Sequence, residues 1–141
     1  MGEILYGKPF TIILCPVDDV PAASESHKTL GRHLNGCRIG FDLGASDLKV
    51  SAVVDGSVVF SDEVEWQPGI QKNPIYHYKK IMAALKKAAS KMDRVDTIGG
   101  SAAGVYVNNR VRVSSLFRGV PEERYHEVRD CLLYTSDAAD E

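Results

Sequence analysis

An aspartate, a glycine and a serine stand at two-residue intervals in Asp42-Leu43-Gly44-Ala45-Ser46, and Asp47-Leu48-Lys49 follows directly. Those types at that spacing suit the binding of a metal-bound polyphosphate. A tight turn between two strands exposes backbone N–H groups to which phosphate oxygens can bind. Gly44 and Ala45 are small and let a ligand approach the main chain closely. Ser46 adds a hydroxyl donor. Asp42, at the strand end, can hold a hydrated Mg2+, an ion that keeps several of its waters. Lys49 shares a face with Asp47 by the two-residue period of a strand. A glycine hairpin that binds nothing is the plain alternative.

A second small-residue run is Gly99-Gly100-Ser101-Ala102-Ala103-Gly104. A hydrolase nucleophile elbow needs Gly-x-Ser-x-Gly on a strand-to-helix turn. Here Ala103 stands in place of the last glycine, and the strand-like Val105-Tyr106-Val107 follows instead of a helix. A Walker phosphate loop would end in Gly-Lys-Ser or Gly-Lys-Thr, which is missing. What remains is either a ligand-lining loop or close strand packing.

Other reactive residue types carry less. His33 and Cys37 are four apart, with His27 nearby, but no second pair completes a tetrahedral metal site and Gly36 interrupts a helix there. His77 and His126 fall at or near helix starts and are expected on the surface. Trp66 ends a strand and is expected as a core or capping aromatic. Asp18-Asp19 reads as a surface loop, and Phe117 and Arg118 as a packed aromatic and a surface charge.

The elements that must position these residues follow from hydrophobic period and turn chemistry. Arg38–Leu43, Leu48–Val54 and Val58–Val64 read as three consecutive antiparallel strands, the last two joined at Asp55-Gly56, a strong two-residue hairpin turn. A loop holding Pro68, Gly69 and Pro74 leads to a helix from about Ile75 to Met92. Its apolar stripe is Tyr78, Ile81, Met82, Leu85, Ala88, Ala89 and Met92, with the lysines 79, 80, 86, 87 and 91 mainly on the solvated side. Val95–Ile98 is a short strand ending in Gly99-Gly100. Val105–Val107 and Val111–Val113 flank an Asn108-Asn109 turn, and Pro121 with Glu122 and Glu123 marks a helix start. Upstream, Phe10–Cys15 is expected as a buried strand closed by Pro16, Asp18–Ser26 as loop, and His27–Leu34 as a turn or short helix. Strands, a helix, a strand and a hairpin give an α/β fold with a mixed sheet. A doubly wound nucleotide fold would alternate strand and helix from the start.

The 141 residues suffice for one domain, and a 44% hydrophobic, 26% charged composition is globular. A net charge of −2 without a basic stripe points away from nucleic acid. Three widely spaced cysteines fit a reducing cytoplasm rather than a disulfide framework. No run is long and apolar enough for a membrane span. The ending, Cys-Leu-Leu-Tyr-Thr-Ser-Asp-Ala-Ala-Asp-Glu over 131–141, matches one reading frame of a transposase adapter used in sequencing libraries. It is expected to be no part of the native protein.

The segment Ile39-Gly40-Phe41-Asp42-Leu43-Gly44-Ala45-Ser46 through Phe60 resembles the first phosphate-binding hairpin of the actin-like ATPase and sugar-kinase superfamily. There an Asp-x-Gly-x-Ser/Thr turn joins the first two strands. Within that superfamily, residues 38–120 are similar in element order to the ROK (repressor, open reading frame, kinase) family. The resemblance implies an N-terminal lobe of the actin-like ATPase (ribonuclease H-like) fold over 37–130, truncated, with 1–36 as an extension. It implies ATP and Mg2+ at Asp42, Gly44, Ala45, Ser46 and Lys49, with Asp42 reaching the metal through water. It also implies a sugar substrate lined by Ser101, Ala103 and Gly104, although Ala103 stands where the family usually has glycine. Ser115-Leu116 similarly departs from the family's Asn-Leu pair. The implied activity is phosphoryl transfer from Mg-ATP to a sugar hydroxyl by a cytoplasmic enzyme, with a homodimer possible for the intact protein. The family's catalytic aspartate, in a Glu-Asn-Asp-type motif, and its cysteine-rich zinc loop fall after this segment. No such motif occurs in 1–141, so the chain alone is expected to be inactive. Two relatives of that fold are the alternatives: an actin-like ATPase acting as an activator or sensor, and a sugar-binding transcriptional regulator. The regulator would need DNA-binding helices, and no helix-turn-helix pattern precedes residue 37.

Overall fold

The computed structural model describes residues 2–23, 34–107 and 110–129. The chain divides into two units, Met1–His33 and Leu34–Glu141. In the first, helix α1 spans Gly2–Tyr6 and a 3₁₀ turn spans Val17–Asp19. The expected strand at Phe10–Cys15 does not form, and Phe10, Ile12, Ile13 and Leu14 are exposed. An apolar run becomes a strand only where a neighbouring strand accepts its ladder of hydrogen bonds, and no described residue pairs with this one. Most of the segment expected as a turn or helix at 27–34, His33 of the weighed His33–Cys37 pair, the Asn108-Asn109 turn and the 131–141 ending lie outside the described residues.

In the second unit, β1 (Cys37–Leu43), β2 (Asp47–Val54) and β3 (Ser57–Glu65) form the expected meander. Asp55 and Gly56 both take positive φ, +48° and +83°. That is the backbone of the two-residue hairpin turn the dipeptide favours. Helix α2 (Ile75–Ala89) then carries the chain to β4 (Thr97–Ala102), which lies parallel to β1. The sheet order is β3-β2-β1-β4, a mixed sheet. A separate hairpin, β5 (Val105–Val107) with β6 (Arg110–Val113), leads to the 3₁₀ turns Ser115–Phe117 and Glu122–Arg124 and to α3 (Tyr125–Arg129). The helix expected after Pro121 therefore opens as a 3₁₀ turn.

Strand alternation divides the sheet into two faces. Ile39, Leu43, Leu48, Val50 and Ala52 are buried in one core with Ile81, Ala84, Leu85 and Ala88 of α2. The helix face differs from the expected one. His77 begins the buried stripe, and Tyr78 is 39% exposed. The lysines do lie to the solvent side, where Lys87 pairs with Asp62 at 2.7 Å. Asp42, Lys49, Glu63 and Ser101 belong to the opposite sheet face and are all exposed.

Strand β4 runs through the glycines that were expected to end it. Its register against β1 reaches Leu43↔Ala102. A Cβ on Gly100 would stand 2.4 Å from the Phe41 carbonyl oxygen and 2.5 Å from the Phe41 ring. The absent side chain thus lets β4 continue alongside β1.

Candidate functional site

Leu43 and Leu48 pair across the β1–β2 turn, and Gly44 N–H donates to the Asp47 carbonyl at 2.9 Å. This leaves Ala45 and Ser46 at the tip, both exposed. A Cβ on Gly44 would meet the Asp47 side-chain and main-chain oxygens at 2.7 and 2.9 Å. Two carbonyls of the turn are held by Trp66. Its indole Nε1–H donates to the Gly44 carbonyl at 2.9 Å, and its main-chain N–H to the Ser46 carbonyl at 3.0 Å. The amides of Ala45 and Ser46 have no acceptor among the described residues. They are donors free for a ligand.

Asp42, the third residue before Ala45, is exposed on the outer sheet face. Its register partners are Lys49 on β2 and Ser101 on β4. The Ser101 hydroxyl donates to Asp42 Oδ1. The parallel pairing therefore brings the turn's aspartate and the small-residue strand end to one place, although they are 59 positions apart in sequence. Lys49 is drawn into an ion pair with Asp47, Nζ to Oδ2 at 2.7 Å. The hydrogen bond from Lys49 holds the Asp47 carboxyl below its ordinary range, and Asp47 in turn pushes the Lys49 ammonium up. Ser46 Oγ donates to Asp47 Oδ1 at 3.3 Å.

Ala103 and Gly104 follow β4 and are exposed. The Ala103 carbonyl accepts from the Ser114 hydroxyl, and Ser114 Oγ also accepts from the Leu116 N–H at 3.2 Å. Gly104 has φ +145°, and a Cβ there would stand 2.4 Å from the Val113 carbonyl oxygen. Glycine is needed at this position both for its backbone conformation and for the space it leaves.

A cleft of about 750 Å3 opens beside the turn tip, lined by Ala45, Ser46, Glu63, Glu65, Arg118 and, from the Pro68–Ile70 3₁₀ turn, Gly69 and Ile70, among others. The Pro68–Ile70 turn is bonded to a residue expected at the surface. His77 is only 1% exposed. Its Nε2 lies 3.1 Å from the Pro68 carbonyl and 2.9 Å from the Leu116 carbonyl. Both partners are acceptors, so Nε2 carries the proton. One ring nitrogen thereby joins the Pro68–Ile70 and Ser115–Phe117 turns. The ring also meets Phe117 edge-on, with centroids 4.8 Å apart, and Trp66 at 6.1 Å. The missed sequence signal is the spacing His77, Ile81, Ala84, Leu85, Ala88, which is a helical stripe once histidine is allowed on it. Phe117 is buried and Arg118 exposed, as expected, but Arg118 faces the cleft. Trp66 is buried at 3% exposure and holds the turn from beneath.

The donor set fits a metal-bound polyphosphate better than a bare one. Asp42, Asp47, Glu63 and Glu65 surround the turn, against Lys49 and Arg118. An unaccompanied polyanion would meet like charge there. A cation bound to it would turn Asp42 from a repulsive group into an attractive one. Among the described residues no group of three or more His, Cys, Asp or Glu is placed to cage a metal. A Mg2+ held by one carboxylate through water is compatible with that.

The solved structure of a ROK family glucokinase from Streptomyces griseus, in complex with glucose and AMPPNP, superposes on 71% of this chain at 21% identity with a TM-score of 0.51. The fold is that of part of a ROK sugar kinase. A Listeria monocytogenes protein, a proposed N-acetylmannosamine kinase, matches 64% of the chain at 21% identity with a TM-score of 0.43. The chain spans 30% and 31% of the lengths of these two proteins. No family model and no curated protein matches it. The α/β fold with a mixed sheet that the sequence implied is thus found, and it is shared with part of the glucokinase. Among the described residues, no helix is long and apolar enough to cross a membrane.

Proposed function

We propose that this chain is the nucleotide-phosphate-binding part of an ATP-dependent sugar kinase. Its turn Gly44-Ala45-Ser46 receives the phosphates of Mg-ATP through the Ala45 and Ser46 amides and the Ser46 hydroxyl. Asp42 holds the hydrated Mg2+. The metal, when bound, offsets phosphate charge. The Ser101–Gly104 strand end borders the sugar. Lys49, paired to Asp47, lessens the repulsion of the carboxylates rather than acting as the main phosphate contact.

The observation that carries this reading is the Asp42–Ser101 hydrogen bond. It puts the acid of the phosphate turn against the first residue of the sugar-side segment. A phosphoryl donor and a hydroxyl acceptor must meet at one point for transfer, because catalysis of this reaction rests mainly on positioning and charge stabilisation. The base that would accept the hydroxyl proton has no candidate motif in 1–141, so the chain alone binds nucleotide and does not turn over.

Calorimetric titration with Mg-ATP tests the reading. Binding that is lost when Mg2+ is chelated, and weakened at least tenfold in Asp42→Ala with an unchanged thermal midpoint, is the expected result. Magnesium-independent binding, or an unaltered affinity in Asp42→Ala, would remove Asp42 from the site. ADP release by the chain with hexoses would show that it carries its own base.

A further inference from the structure

Trp66 makes two hydrogen bonds to the turn, and they come from chemically different groups. The main-chain N–H reaches Ser46 O at 3.0 Å, and the indole Nε1–H reaches Gly44 O at 2.9 Å. The residues between those carbonyls are the ones whose amides have no protein acceptor. A peptide unit directs its N–H and its C=O to opposite sides. Holding the Gly44 carbonyl therefore sets the direction of the Ala45 N–H, because the two belong to one peptide plane. Holding the Ser46 carbonyl limits the rotation of the next plane. The main-chain bond would form with any residue except proline at position 66. The indole bond needs tryptophan, whose ring N–H is a donor only.

The indole is itself fixed. Trp66 is 3% exposed, and its ring meets the edge of His77, which is anchored by two carbonyls. We propose that Trp66 is the positioning residue of the phosphate turn, its indole N–H aiming the Ala45 amide at the ligand through the Gly44 carbonyl. This rests on the reading of the turn as a phosphate site. It goes beyond that reading by naming what preorganises the site.

The test uses the whole chain labelled with 15N. Trp66→Phe removes the indole donor and keeps the main-chain bond. Replacing Trp66 with 3-benzothienylalanine exchanges N–H for sulfur at nearly constant volume, and so separates loss of the donor from loss of packing. Expected in both variants are a displaced Ala45 amide resonance and order parameters at Ala45 and Ser46 that fall below the rigid-backbone value of about 0.85. Affinity for Mg-ATP and for Mg-pyrophosphate falls about three- to tenfold, the worth of one net hydrogen bond. The benzothienyl variant keeps a near-native thermal midpoint, which a purely structural role for the bond would not combine with weaker binding. An unmoved Ala45 resonance with native affinity in the benzothienyl variant overturns the proposal. Should the unmodified chain bind neither ligand, the phosphate-site reading and the proposal's ligand claim fall together. The Ala45 and Ser46 amides then report separately whether the indole orders the turn.

Discussion

Replacing His77 with leucine should destabilise the chain by about 2 kcal/mol, and the figure follows from the contacts. The Nε2–H is shared between the Pro68 and Leu116 carbonyls at 3.1 and 2.9 Å. Its removal leaves the buried Leu116 carbonyl without a donor among the described residues, at roughly 1–3 kcal/mol, while the Pro68 carbonyl keeps the Gln71 N–H at 3.1 Å. The edge-on contact with Phe117, at 4.8 Å and 61°, adds about 0.5–1 kcal/mol. Against this, Nδ1 is buried without a partner among the described residues. Deleting it returns about 1 kcal/mol. Equilibrium urea unfolding measures the sum, and the thermal midpoint should fall by roughly 10 °C for a domain of this size. His77→Gln, which restores an N–H donor without the ring, should recover about half. If His77→Leu unfolds within about 0.5 kcal/mol of the parent chain, the Leu116 carbonyl is satisfied some other way, and His77 does not join the Pro68–Ile70 and Ser115–Phe117 turns.

Two further outcomes follow from the geometry. Gly104→Ala should cost about 2 kcal/mol or more in urea unfolding, because φ +145° is nearly confined to glycine and the new Cβ would press on the Val113 carbonyl; an unchanged midpoint would mean the loop after β4 can relax freely. Lys49→Met should move the Asp47 carboxyl titration, followed by 13C NMR, upward toward its ordinary value. In the parent chain Asp47 is depressed, so the Lys49–Asp47 pair is intact above the ordinary carboxylate range and is lost as pH falls through the lowered pKa; that low-pH step should vanish in the Met variant.

Much of the fold was legible because local chemistry fixed it. The Asp55-Gly56 turn, the strands of the meander and the mainly solvated lysines of α2 follow from short-range geometry, and are found. The Asp42-Leu43-Gly44-Ala45-Ser46 turn was read the same way, since a strand, a tight turn and a strand occupy adjacent positions. Where reading failed, a distant partner decided. Phe10–Cys15 has the composition of a strand but no ladder to join among the described residues. Gly99 and Gly100 look like a strand end, yet β1 carries the strand onward because Gly100 leaves room for Phe41. His77 looked like a surface histidine because its acceptors are main-chain carbonyls 9 and 39 positions away. Backbone acceptors leave no trace in residue identity.

The sequence by itself determined the meander, the helix and the exposed turn that offers amides, a hydroxyl and a carboxylate, because each depends on neighbours within a few positions. Only the tertiary structure decided that β4 runs parallel to β1 and sets Ser101 on Asp42, and that one tryptophan at the end of β3 holds the turn by two carbonyls. Parallel pairing and side-chain-to-carbonyl bonds join segments separated by a long crossover, and their geometry exists only once the chain has closed on itself.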